Sequence, residues 1–261
     1  MCKKKITREI IIKTLVDSLE SKDYIHALWE GGAAAFDRID EWSDIDLYLI
    51  VDDNRISDAV NEVERSLNSL SPIEQKYETQ QNLWPEIFQA FYKIKDASKY
   101  LLIDIAIMKI SSQEKFLEKK IHGNAVFYFN KLNEIPLKDN ESMAEQLRKR
   151  LGRLKAKFDL FNIFVKKEVN RGNSLEAIDL YYNITLSSLV EVLRIKHYPS
   201  HHEFKMRYVH YELPAEVVEK LEYLFFVKTI EELQEKYDIA TRWFNEIMFS
   251  LTNYFSKERS C

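Results

Sequence analysis

Asp44 and Asp46 stand two residues apart at the head of the apolar run Asp46–Val51. Successive side chains on a strand alternate, so an Asp-X-Asp triplet at a strand start turns both carboxylates to one side. Two like charges that close repel, and a bound divalent cation removes the objection. Mg²⁺ suits such a site because it takes a few carboxylates, keeps waters and binds substrate phosphate oxygens. Upstream, Gly31-Gly32 ends one apolar run and precedes Ala33-Ala34-Ala35. Glycine lets backbone approach a phosphate, and the first N–H groups of a helix favour an anion. A third acid, Asp104, lies inside Leu101–Ile107, where a charge is costly unless it is paired or metal-bound. If its strand lies beside Asp46–Val51, three acids converge. The fitting chemistry is then two-metal phosphoryl transfer, one ion activating the attacking hydroxyl and the other steadying a triphosphate.

The elements that must position these residues fall into two rhythms. Ile11, Ile12, Leu15, Val16 and Leu19 repeat at helical spacing over 7–20, followed by a strand over 24–29 that ends at the glycine pair. After the strand over 46–51 come a helix over 56–70, a break at Pro72 and a strand over 74–79. An antiparallel pair is expected over 88–95 and 100–108, joined at Asp96-Ala97-Ser98, with a further strand over 125–130. From 141 the pattern is wholly helical: one helix over 141–169, a second capped by Ser174 and stopped by Pro199, and a last stretch from Pro214 to about Phe255 broken near 227–229. The expected class is α+β, a mixed sheet with flanking helices followed by an all-α bundle. The expected domains are 1–132 and 140–261, with the junction around Pro136.

The helical half carries weaker candidates. Lys149, Arg153 and Lys157 share a face by i, i+4 spacing. They read either as a solvated face or as a source of one cation, Lys149, reaching the triphosphate across a cleft. Asp179, Tyr182 and Glu191 are candidates for holding the acceptor, against the plainer reading of Tyr182 as core and the two acids as solvated. His201-His202 lacks partners at metal-ligand spacing. Tyr208, Tyr211, Tyr223, Phe225 and Phe226 are expected in the core and, where exposed, on a homodimer surface.

The segment from Gly32 through Asp44-Ile45-Asp46 to Asp104 resembles the polymerase-β-like nucleotidyltransferase superfamily. Its members carry a Gly-Ser pair, a loop of about ten residues, Asp-X-Asp/Glu and a later third acid. The small-molecule members that modify aminoglycosides or lincosamides place a helical domain after the sheet. The resemblance implies a nucleotidyltransferase domain over 1–132 and an acceptor-binding one over 140–261. It further implies transfer of AMP from ATP to a hydroxyl of a small molecule such as an antibiotic, with two Mg²⁺ ions and release of pyrophosphate. Asp44, Asp46 and Asp104 would be the metal-holding and catalytic acids. Gly31, Gly32, Ser43 and Arg38, the loop's one cation, would meet the triphosphate, with Lys149 beyond them. Ala33 departs from the pattern where members carry Ser, which leaves open a nucleotide-binding relative without turnover. A member acting on RNA or protein is the remaining alternative; its helical-domain pair of Arg and His is approached only by Arg194 and His201, with Pro199 between them.

Composition closes off other classes. The 261 residues carry Lys+Arg 38 against Asp+Glu 42, a net charge of -4, which excludes a generally basic nucleic-acid binder. A 46% hydrophobic content with five glycines and five prolines excludes a disordered or fibrous chain. Cys2 and Cys261 have no spacing for a metal or redox pair. No apolar run approaches the roughly 20 residues of a membrane span, and Arg8 and Glu9 interrupt the basic start of the chain. A cytoplasmic location is expected.

Overall fold

The computed structural model describes residues 6–79, 86–135 and 142–257. The chain divides into two compact units, 1–139 and 140–261.

Among the described residues of the first unit, six strands form one mixed sheet in the order β3-β4-β5-β2-β1-β6. The strands are β1 (Ile25–Glu30), β2 (Ile45–Val51), β3 (Ile73–Glu78), β4 (Ile87–Ile94), β5 (Ile103–Lys109) and β6 (Val126–Asn130). β2 and β5 run parallel at the centre, and every other neighbouring pair is antiparallel. The parallel pair needs a crossover, which contains α3 (Ile56–Leu70) and the β3–β4 hairpin. The expected pairing of the strands over 88–95 and 100–108 is present as β4 and β5.

One sheet face is sealed by helices. α1 (Arg8–Leu19) and α3 press Ile11, Leu15, Leu19, Val63 and Leu67 onto Leu28, Leu47, Leu49, Ile105 and Ile107. Ser18 of α1 donates to the buried Glu62 of α3, whose carboxylate also takes ion pairs from Lys22 and Arg65. The charge is thereby retained at low exposure. The opposite face is only partly covered. Trp29, Ile50 and Met108 lie under Phe116, Leu117, Leu132 and Ile135, with Trp29 fully buried and stacked on Tyr48 at 5.6 Å. The covering stretch includes α4 (Lys119–His122). Within β2 and β5, Asp46 and Asp104 share this second face by alternation with the residues of that cluster.

The second unit is helical: α5 (Met143–Phe161), α6 (Ile163–Arg171), α7 (Ser174–Leu180), α8 (Ser187–His197), α9 (Val209–Glu212), α10 (Ala215–Phe225) and α11 (Ile230–Lys257). Phe158 stacks on Phe244 at 3.7 Å within its core. The single helix expected over 141–169 is two, parted at Asn162. That buried side chain is drawn into hydrogen bonds with Thr185, Tyr237 and Thr241. The next helix is interrupted by a π-helical turn, Tyr181–Leu186, which spacing did not foretell. Asn173, not Ser174, occupies the N-cap position before α7. Pro214 precedes α10, and the last helical stretch breaks between Phe225 and Ile230 as expected.

Candidate active site

The site is built on the central parallel pair. Asp46 of β2 lies in register with Asp104 of β5. Neighbouring strands are about 4.8 Å apart, so the two carboxylates stand side by side on one face. Both are half-buried, as is Asp44. Asp44 lies one residue before β2, its Oδ1 accepting the Leu102 N–H at 3.2 Å, and the Ile45 N–H returns a bond to the Leu102 carbonyl. Asp44 therefore ties the start of β2 to the start of β5. The Gln89 amide of β4 donates to both oxygens of Asp104, at 3.0 and 2.9 Å. A glutamine thus helps hold this acid in place.

The diglycine bend closes on Asp46. The Gly31 N–H donates to the Asp46 carbonyl at 2.9 Å, and α2 (Gly32–Ala35) follows at once. Gly32 has φ +53, a conformation costly for L residues. A Cβ there would overlap the Asp46 carboxylate, its carboxyl carbon only 2.5 Å away. A Cβ on Gly31 would meet the Tyr48 ring at 2.7 Å. Both glycines are needed for contact, and Gly32 for its backbone as well.

Arg8 is a member of this region that sequence reasoning missed. Its guanidinium donates to the Asp44 carbonyl and pairs with Glu30, the last residue of β1, whose carboxylate also accepts the Tyr128 hydroxyl. Burial lowers the Arg8 pKa, while Tyr128, Asp46, Glu9 and Asp44 act in the other direction. Burial likewise raises the Tyr128 pKa. The available signal was Glu30 itself: a carboxylate closing the apolar strand Ile25–Trp29 needs a cation close by.

The other expected contacts are placed as follows. The Ser43 hydroxyl donates to Asp40 at 2.8 Å and accepts the Asp40 N–H at 2.9 Å, so it serves the loop turn. Arg38 lies over the Phe36 ring at 5.1 Å. Lys149 is on α5 of the second unit, 3.5 Å from Glu145. Asp179 accepts from Asn183, and the Tyr182 hydroxyl donates to the Phe225 carbonyl while its ring stacks on Phe225. Glu191 is held by two bonds from Arg150. Asp179, Tyr182 and Glu191 thus each have separate partners. Arg194 and His201 do come together, both fully buried and both bonded to Glu212.

Among the described residues no three His, Cys, Asp or Glu side chains gather closely enough to hold a metal ion by themselves. The donor set nevertheless fits Mg²⁺, which binds through one or two carboxylates and takes the rest of its octahedron from water and phosphate. Asp46 and Asp104 are such a pair, and the space a Gly32 Cβ would fill keeps the Asp46 carboxylate against the bend. No helix among the described residues is long and apolar enough to cross a membrane.

No family model matches the chain, and no curated protein matches it. Solved structures similar to it include an aminoglycoside 6-adenyltransferase from Bacillus subtilis, 12% identical, covering 95% of this chain and 91% of that one at a TM-score of 0.36. A spectinomycin adenyltransferase from Enterococcus faecialis, solved with ATP and spectinomycin, is 11% identical, with 94% and 100% covered and a TM-score of 0.38. A STING-associated c-di-GMP synthase from Capnocytophaga granulosa is 17% identical, with 95% and 81% covered and a TM-score of 0.30.

Proposed function

We propose that the chain is a nucleotidyltransferase that moves a nucleoside monophosphate, AMP in the first instance, from a triphosphate to a hydroxyl of a small molecule. The observation that carries this is the in-register pair Asp46 and Asp104, with the Gly32 backbone pressed against the Asp46 carboxylate. Asp46 and Asp104 would hold Mg²⁺, which when bound would neutralise charge on the triphosphate and acidify the attacking hydroxyl, while Asp44, expected as a third ligand, accepts the Leu102 N–H and ties β2 to β5. The Gly31 N–H is taken by the Asp46 carbonyl and shapes the bend, while Gly32 and the first N–H groups of α2 would receive phosphate oxygens, since those amides have no acceptor within the helix. Asp104, oriented by Gln89, lies on the far side of Asp46 from the bend and takes the hydroxyl proton. Arg8 fixes the Asp44 backbone and is a positioning residue. The second unit would bear on the choice of acceptor, and an aminoglycoside and spectinomycin, after which two similar adenyltransferases are named, are the first compounds to try.

A second reading is favoured by Ala33, which lacks the hydroxyl expected there, and by Ser43, whose hydroxyl is engaged by Asp40. Under it the protein binds nucleotide without turnover. Calorimetry with ATP and Mg²⁺, beside pyrophosphate release over a panel of hydroxyl compounds, separates the two. Binding with release in the wild type and neither in Asp46→Asn supports transfer. Binding without release over the whole panel supports the second reading, and absence of binding overturns both.

A further inference from the structure

The row that begins with the two acids continues across the sheet. Asp46 of β2 is opposite Asp104 of β5, Asp104 is opposite Phe91 of β4, and Phe91 is opposite Tyr77 of β3. Residues opposite each other on neighbouring strands share a face, so two carboxylates and two aromatic rings form one line. The next row holds Lys93 opposite Gln75 on the same face. The rings of Tyr77 and Phe91 are 6.3 Å apart and tilted by 32°. Tyr77 is 64% exposed, an unusual state for so large a ring. Gln75, Tyr77, Phe91 and Lys93 line a cavity of about 490 Å³ together with Leu102, whose N–H holds Asp44. The cover that shields Trp29 and Met108 on this sheet face consists of residues from 110 onward and packs on the other end of the strands.

We propose that Tyr77 and Phe91, flanked by Gln75 and Lys93, are the seat of the acceptor, and that the acceptor is a hydroxyl-bearing ring compound lying face-on to these two rings. The inference rests on the transferase reading above. Its direction comes from the order of the row. The phosphate bend is on the Asp46 side, so the attacking hydroxyl enters from the side of Asp104, and the next strands on that side are β4 and β3. From Asp104 to Tyr77 is two strand spacings, about 10 Å, the length of a two-ring molecule. A ring seated there lays its face on Phe91 and extends its hydroxyl one strand spacing to the Asp104 carboxylate. Aromatic side chains on an open sheet surface stack flat faces with little demand for a particular edge pattern. Gln75 and Lys93 supply donors at the rim for ring oxygens. Sugar or cyclitol rings and nucleosides both offer this chemistry.

The test uses the full chain, with Tyr77→Ala and Phe91→Leu as variants; the first is on the surface and the second keeps aliphatic packing. ATP with Mg²⁺ is titrated calorimetrically into each. Spectinomycin, streptomycin, adenosine and guanosine are then titrated into each protein with a non-hydrolysable ATP analogue present. The expected result is that at least one ring compound binds the wild type and loses tenfold or more in each variant, with ATP affinity within twofold. Binding by the first two or by the last two probes assigns the ring as sugar-like or nucleoside. A parallel loss of ATP affinity overturns the proposal, because the rings then seat the nucleotide. Unchanged probe binding in the variants, or no probe bound by the wild type, overturns it as well. If ATP does not bind the wild type, the transferase reading fails by itself. A ring probe that still loses affinity in the variants would then leave the ring seat standing as a binding site.

Discussion

Gly32→Ala separates the cost of a backbone conformation from the cost of crowding a carboxylate. Gly32 at φ +53 and Gly172 at φ +78 both have positive φ but differ in their surroundings. A Cβ on Gly172 meets nothing within 4 Å, whereas one on Gly32 overlaps the Asp46 carboxylate. Gly172→Ala therefore reports the backbone term alone, about 1–2 kcal/mol. Gly32→Ala carries the same term and must in addition displace either Asp46 or the bend. Asp46 is the softer of the two, because its carboxylate turns about two side-chain bonds while the bend is tied by the Gly31 N–H to the Asp46 carbonyl. The variant is expected to fold, with its unit destabilised by about 1–3 kcal/mol. It is also expected to bind ATP with Mg²⁺ at least tenfold more weakly, a loss of about 1.4 kcal/mol. Urea melts of both variants give the stability terms, and calorimetry gives the affinity. Gly172→Ala should keep wild-type nucleotide affinity. A folded Gly32→Ala that binds ATP as the wild type does would refute the assignment of this bend and carboxylate to the nucleotide.

Three further outcomes follow from other contacts. Gln89→Leu should leave the fold intact and lower the transfer rate about tenfold to a hundredfold, because Asp104 loses the donor that orients it. A kcat unchanged in steady-state pyrophosphate release would contradict this. Arg8→Met strands Glu30, whose side chain is 3% exposed, and should cost about 3–5 kcal/mol in a denaturant melt. The double variant with Glu30→Gln should recover part of that loss, and additive losses would show that the two residues do not act as a pair. In the helical unit, burial and then Lys196 lower the His197 pKa from its ordinary 6.5, with Glu216 opposing. The unfolded chain then binds the proton more tightly, so stability is fully present above about pH 6.5 and declines as pH falls through the lower folded value. Replacing His197 by Gln should flatten that part of the stability–pH curve, and an unchanged slope would assign it to another group.

Much of the candidate site was legible because its signals are local. Asp44-Ile45-Asp46 and Gly31-Gly32 are neighbours in the chain, and a charge inside Leu101–Ile107 stands out against its surroundings. The two-part organisation was legible for the same reason, since alternation and helical spacing are short-range patterns. Gln89, Arg8 and the Tyr77–Phe91 pair were not legible. Gln89 and Phe91 sit in a strand of ordinary alternation, and nothing in that stretch tells which neighbour it will face. The split at Asn162 was hidden likewise, because the partners that hold it are Thr185, Tyr237 and Thr241, far along the chain.

What the residue order determined by itself is the chemistry on offer: paired acids at a strand start, a glycine bend before them, and a third acid in an apolar run. What only the tertiary structure decided is who stands beside whom. Strand order put β5 next to β2, and the burial of alternate residues under α1 and α3 set the register that makes Asp46 and Asp104 neighbours. A slip of one residue would turn every side chain of the strand to the other face, so the packing of one face places the acids on the other.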